Sequence, residues 1–272
     1  MVKGLAKFKS HFAGFKGQYI LIGGAACDLL HQDAGIEFRV TNDLDIVLCL
    51  EALDREFVVA IWDFVRAGKY KRREKSSGKQ EFFRFIDPEE VSFPQMLELF
   101  SRRPDTLVVP DDQQVIPIPI DEDVSSLSAI LLDDDYYHLV HSGAKEVGGL
   151  PVAREEHLIL LKAKAYNNLR SQKESGQHVD ENKIRKHKND VFRLFRILAP
   201  NTSIELPGAI REDVRIFIDR MNTEEVDLKA LKIRGTTKEA ILAELAHKFG
   251  IVLVEWRRPK LPRSGFPQPG TA

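Results

Sequence analysis

Asp43 and Asp45 stand one residue apart in the run Asp43-Leu44-Asp45-Ile46. In a strand, residues i and i+2 point to the same face. That spacing sets the two carboxylates side by side and sends Leu44 and Ile46 into the core. Carboxylates so close repel each other and disfavour each other's ionisation near neutral pH. A divalent cation relieves the repulsion, and Mg²⁺ takes oxygen ligands, usually one or two carboxylates with substrate phosphates. Upstream, the apolar strand Tyr19-Ile20-Leu21-Ile22 runs into Gly23-Gly24 and a short helical run, Ala25 to Leu30. Backbone N–H groups at a helix start, the positive end of its dipole, make a cradle for phosphate. The chemistry these residues suit is metal-assisted handling of a phosphorylated substrate. Rival glycine-rich motifs are missing: no G-x-G-x-x-G follows the first strand, and no G-x-x-x-x-G-K-[ST] occurs in the chain.

The elements that must position these groups are readable in outline. Residues 1–17 form a helix, with Leu5, Phe8 and Phe12 at helical spacing. Residues 54–67 form an amphipathic helix burying Phe57, Ile61, Phe64 and Val65, with Gly68 as its stop. Residues 69–80 make a basic hairpin loop, Glu81 to Ile86 a strand, and Asp87-Pro88-Glu89-Glu90 a turn. In the strand Met96 to Phe100, Glu98 is a lone carboxylate among apolar neighbours, costly unless paired or bound to a cation. Residues 107–120 give two short strands, the second confined by Pro117 and Pro119 to an edge or linker. Residues 124–133 read as a short helix and Asp133-Asp134-Asp135 as a solvated turn.

Gly148-Gly149-Leu150-Pro151 marks a domain boundary, and the pattern beyond it is helical. Residues 154–170 carry the stripe Leu158, Leu161, Ala165 and Leu169. At roughly 100° per residue, Lys162 falls at its edge, half-buried. A polar loop over 171–182 leads to a helix over 183–198 with Val191, Leu194, Phe195 and Leu198 inward. Further helices cover 208–221 and 236–249, followed by a short strand over 251–255. The division is residues 1–149, residues 150–255 and a loose tail, 256–272.

A chain of 272 residues suits about two domains. Its 43% hydrophobic content supplies ordinary cores. The two cysteines, Cys27 and Cys49, lie in apolar runs and read as buried thiols in a reducing compartment. No apolar run nears the roughly 20 residues of a membrane span, and the first residues lack a signal-peptide core. A cytoplasmic protein without membrane partners is expected. Net charge is −1, yet charge is segregated: Asp105 to Asp135 holds nine acids and no Lys or Arg, and Lys162 to Arg196 holds ten Lys/Arg against four acids. Lys69 to Lys79 adds six against one. This pattern suits an anionic partner on the basic side, or two solvated faces.

Gly23-Gly24-Ala25 followed by Arg39-Val40-Thr41-Asn42-Asp43-Leu44-Asp45 resembles the signature of the nucleotidyltransferase fold, the DNA polymerase β-like superfamily, in its AbiEii-type branch. That branch includes toxins of bacterial toxin–antitoxin and phage-defence systems. The resemblance covers roughly residues 15–200 and implies an α+β fold: a mixed β-sheet nucleotidyltransferase core with a helical C-terminal domain. It implies a third acid on a neighbouring strand, a role it carries onto Glu98, with Asp87 as the competitor. It also implies a lysine on one helix and a lysine/aspartate motif on the next, matched by Lys162 and by Lys186-His187-Lys188-Asn189-Asp190. His187 departs from the motif, which has an acidic residue there.

The mechanism so implied is attack of an acceptor hydroxyl on the α-phosphate of a nucleoside triphosphate, with Mg²⁺ or Mn²⁺ as cofactor. Asp43, Asp45 and Glu98 would hold metal. Gly23, Gly24, Arg39 and Thr41 would line the nucleotide, Lys162 would neutralise the leaving phosphates, and Asp190 would orient Lys162 or touch the nucleotide. The acceptor is RNA (tRNA among them), a protein or a small molecule, and a cognate antitoxin is an implied partner. The alternative is a non-catalytic nucleotide- or RNA-binding module on the same fold. His31, His138, His141 and His187 have no evident nucleophile to serve and read as incidental.

Overall fold

The computed structural model describes residues 2–49, 54–74, 80–100 and 133–252. The expected strands over 107–120, the short helix up to residue 132, most of the acidic stretch, the end of the 251–255 strand and the tail lie outside these. Ile251 and Val252 are not in a strand.

Helix α1 (Leu5–His11) and a 3-10 turn (Ala13–Phe15) lead to β1 (Tyr19–Ile22), α2 (Gly23–Asp33) and β2 (Asp43–Leu48). Then come α3 (Arg55–Gly68), β3 (Lys71–Glu74), β4 (Gln80–Ile86) and β5 (Met96–Phe100). After α4 (Asp134–Ser142), β6 (Ala144–Val147) and β7 (Leu150–Ala153), the described chain is helical: α5 (Glu155–Glu174), α6 (Glu181–Phe195), α7 (Gly208–Met221) and α8 (Lys238–Lys248). The described strands form one mixed sheet in the order β3-β4-β5-β2-β1-β7-β6. β5 runs parallel to β2, and β7 parallel to β1; the other neighbours are antiparallel. The molecule is α+β, as expected.

Alternation along β2 and β5 divides the sheet. Ile46, Leu48, Leu97 and Leu99 face α1 and α3, where with Phe8, Phe12, Phe57 and Phe64 they line a small apolar gap. The alternate positions, Asp43, Asp45 and Glu98, therefore face the other way. Helix α3 forms where expected because Asp54 caps it, accepting the Phe57 N–H at 2.8 Å. Behind the sheet, α5 packs against α6, α7 and α2. No described helix is long and apolar enough to cross a membrane.

Three expectations are corrected in detail. Gly148 and Gly149, with φ of 59° and 81°, are the turn of the β6–β7 hairpin. The division expected after residue 149 thus falls inside the sheet, whose strand β7 lies on its helical side. Helix α5 runs four residues past Arg170 to Glu174, so the polar loop is shorter than expected. Asp133 accepts the N–H groups of Asp135 and Tyr136 as the cap of α4. The aspartate run therefore starts a helix instead of forming a turn.

His157, in the first turn of α5, packs so closely on Gly143 that a Cβ there would lie 1.4 Å from its Cε1. Burial, helped by Arg154, pushes its pKa down to about 4 from 6.5. The unfolded chain binds a proton near pH 6.5 that the fold refuses until about pH 4. Stability conferred by this site is therefore full above pH 6.5 and falls as pH drops toward 4, by about 3 kcal/mol. In denaturant unfolding at several pH values, His157→Gln should show a smaller acid-side loss than wild type. An identical pH dependence would contradict the assignment.

Candidate active site

The site begins where β1 meets α2. Ile22 pairs with Asp45 across the antiparallel ladder, so the first turn of α2 lies over that carboxylate. Gly23 has φ of 67°, and a Cβ on it would sit 1.6 Å from Asp45 Oδ2. A Cβ on Gly24 would sit 2.3 Å from Thr41 Oγ1. Only glycine fits either place. The Gly24 N–H donates to Asp45 Oδ2 at 3.4 Å. The amide expected to cradle phosphate is thus turned onto the Asp45 carboxylate, and Thr41 is buried beside it.

Register builds the acidic side. Asp45 is paired with Glu98 across the parallel β2–β5 ladder, and Glu98 with Arg84 across the antiparallel β4–β5 ladder. Arg84, Glu98 and Asp45 thus stand in a row on one sheet face, with Asp43 one step along it. Asp45 is 6% exposed and Glu98 8%. Burial, then repulsion from Asp45, pushes Glu98 up to about 8, against the pull of Arg84. Burial and Asp45 likewise raise Asp43. The competing Asp87 is exposed, beyond the end of β4, with φ of 49°, outside this row. The Arg84 Nε–H donates to Glu98 Oε1. As the side chains stand, no three Asp, Glu, His or Cys groups among the described residues are gathered to hold a metal ion.

Two helices and the segment between α2 and β2 supply the opposite charge around Asp190, which is 0% exposed. Arg39 grips it with both prongs, Nε to Oδ1 at 2.9 Å and Nη2 to Oδ2 at 2.7 Å. Arg193 Nη1 donates to Oδ1 at 3.0 Å, and Lys162 Nζ lies 3.8 Å from Oδ2. Burial opposes the Asp190 charge, but the Arg39 hydrogen bonds and the nearby cations overcome it and hold the carboxyl at about 2. Asp190 thus anchors Arg39 and stands 3.8 Å from the Lys162 ammonium.

Lys162 itself is 2% exposed, not half-buried at the edge of a stripe. Its neighbours Ile159, Leu160 and Ala163 are buried too, because α5 is covered by helices on several sides. One turn before Asp190, half-buried Lys186 has its proton affinity lowered by burial, Lys162 and Arg39, while Asp45 and Asp43 pull the other way. It lies where the cationic and acidic sides meet. Burial and Lys162 keep His187 neutral, its pKa well below the ordinary value. His31 bridges α2 and α6 through the carbonyls of Cys27 and Arg193, at 2.7 and 3.1 Å.

Arg84 carries no sequence signal, and Lys186 stands in the lysine/aspartate motif without a role of its own. Lys186 precedes Asp190 by four, one helical turn. Arg84 alternates with Phe85, which the core buries. Much of the basic stretch expected to meet an anionic partner is paired internally. Lys164 bonds Asp213 at 2.7 Å, Lys188 bonds Glu224 at 2.8 Å, and Arg170 and Lys173 meet Glu174 and Glu181.

No protein-family model and no curated protein matches this chain. Two solved structures are similar to it. One is an antigenic nucleotidyltransferase-like protein from Paracoccidioides brasiliensis, 13% identical with a TM-score of 0.41, covering 88% of this chain and 98% of that one. The other is the antibiotic-resistance factor ANT(2'')-Ia, 14% identical with a TM-score of 0.34, covering 84% and 93%. Both are distant in sequence and in superposition.

Proposed function

We propose that this chain is a metal-dependent nucleotidyltransferase of the AbiEii-like kind, moving a nucleoside monophosphate from a triphosphate to an acceptor hydroxyl. The observation that carries this reading is the two-sided site: carboxylates Asp43, Asp45 and Glu98 on one sheet face, and Arg39, Lys162 and Lys186 on the helical side. The donor set is all hard oxygen, and Asp45 raises the proton affinity of both Asp43 and Glu98, which suits Mg²⁺ or Mn²⁺. Asp43 and Asp45 would hold the ion, which when bound offsets charge on the phosphates. Lys186 and Lys162 draw the triphosphate toward the helices. Arg39, fixed by Asp190, closes that side. The acceptor oxygen bonds to the α-phosphorus, the bond from that phosphorus to the oxygen bridging to the β-phosphate breaks, and pyrophosphate leaves with the electron pair. The acceptor's proton passes to Glu98 or to water.

The test is incubation with each labelled NTP and either total RNA or lysate, with and without a chelator. Chelator-sensitive label on an acceptor is expected; no transfer from any NTP with Mg²⁺ or Mn²⁺ would contradict the reading. In that assay Lys162→Ala should cost roughly ten- to hundredfold, about 1.5–3 kcal/mol for a charge-assisted contact. Lys164→Ala, which loses only its Asp213 partner, should lower melting temperature slightly and leave NTP use within about twofold. Equal losses of transfer would remove the phosphate role of Lys162.

A further inference from the structure

Arg84 belongs to none of the motifs above, yet the sheet places it as firmly as the carboxylates. Ladder pairing on both sides of β5 fixes Arg84, Glu98 and Asp45 in one row. The Arg84–Glu98 pair is 17% and 11% exposed in its side chains. A guanidinium is always charged and donates in a fixed plane, so at this position it gives Glu98 a permanent positive partner. Removing it would leave a mostly buried charge uncompensated. A cation seated on Glu98 would have to displace that partner or share its carboxylate with it, at short range from a like charge. Asp43 and Asp45 are differently placed. Asp45 accepts a long 3.4 Å backbone N–H from Gly24, no Lys or Arg among the described residues forms an ion pair with either aspartate, and a single divalent ion relieves their repulsion. Within the carboxylate row, two aspartates suit one M²⁺, and Glu98 already has a guanidinium against it.

Building on the nucleotidyltransferase reading, we propose that the site takes one divalent cation, held by Asp43 and Asp45 with the nucleotide phosphates, and that the Arg84 guanidinium, anchored on Glu98, occupies the place of a second cation on the acceptor side. Arg84 is then a positioning residue whose removal changes how many ions bind, which a purely structural brace would not do.

The experiment counts Mn²⁺ by electron paramagnetic resonance on the full chain saturated with Mn²⁺ and a non-hydrolysable NTP, after unbound ion and nucleotide are removed. Wild type should retain one Mn²⁺ per chain, with the six-line signal of an isolated ion. Arg84→Gln should take up a second and show the broadened signal of a coupled pair, while Arg84→Lys, which keeps the charge, should stay at one. Two coupled ions in wild type would overturn the proposal and leave the nucleotidyltransferase reading standing. One ion in Arg84→Gln, folded by its melting curve, would also overturn it. A folded wild type that retains no Mn²⁺ with nucleotide would overturn both. If Arg84→Gln does not fold, Arg84→Met replaces it in the same count, and two coupled ions in wild type overturn the proposal in either case.

Discussion

Asp45→Asn is expected to lower nucleotidyl transfer by about a thousandfold or more while the fold survives. Asp45 is buried under the first turn of α2 and accepts the Gly24 N–H. Asparagine keeps its shape and an acceptor oxygen but removes a charge that holds the metal. Charge stabilisation by a bound ion is worth several kcal/mol, and each 1.36 kcal/mol is tenfold in rate. Stability should hold or rise, because the substitution ends repulsion with Glu98 and Asp43. Single-turnover transfer beside melting curves measures both. Transfer within tenfold of wild type would show that Asp45 is structural.

The largest effect on stability belongs to Asp190→Ala. This carboxylate is the shared partner of Arg39, Arg193 and Lys162, and Lys162 has almost no access to solvent. Breaking a buried pair by deleting one partner costs about 3–5 kcal/mol, which lowers the melting temperature by on the order of 10 °C in a chain of this size. Arg39 should also lose its fixed orientation, so NTP affinity should fall. Because the damage is a stranded cation, the double variant Lys162→Met/Asp190→Ala should regain part of the lost stability. If Asp190→Ala melts within 2 °C of wild type, the buried network does not brace the helical side of the site.

The sequence made visible what local spacing encodes. Asp43 and Asp45 share a face because a strand has a period of two, and α7 spans 208–221 as its apolar repeat dictates. Contacts set by register between distant strands were not readable. Glu98 could not be separated from Asp87 without knowing that β5 lies parallel to β2, and Arg84 looked like one more polar residue in a strand. The burial of Lys162 was missed because a single apolar stripe assumes one packed face, and α5 has several. Gly148-Gly149 looked like a linker because two glycines serve a linker and a tight hairpin equally well. Only the pairing of β7 with β1 distinguishes them.

The central claim is a metal–nucleotide site on Asp43 and Asp45, and titration calorimetry tests it most directly. Mg²⁺ with a non-hydrolysable NTP is titrated into wild type and into Asp43→Asn. Asp43 sits on the same face as Asp45, where burial and repulsion favour a bound cation. Wild type should give a saturable heat that Asp43→Asn loses or shifts to at least tenfold weaker binding. Equal heats from the two folded proteins, or none from wild type, would contradict it.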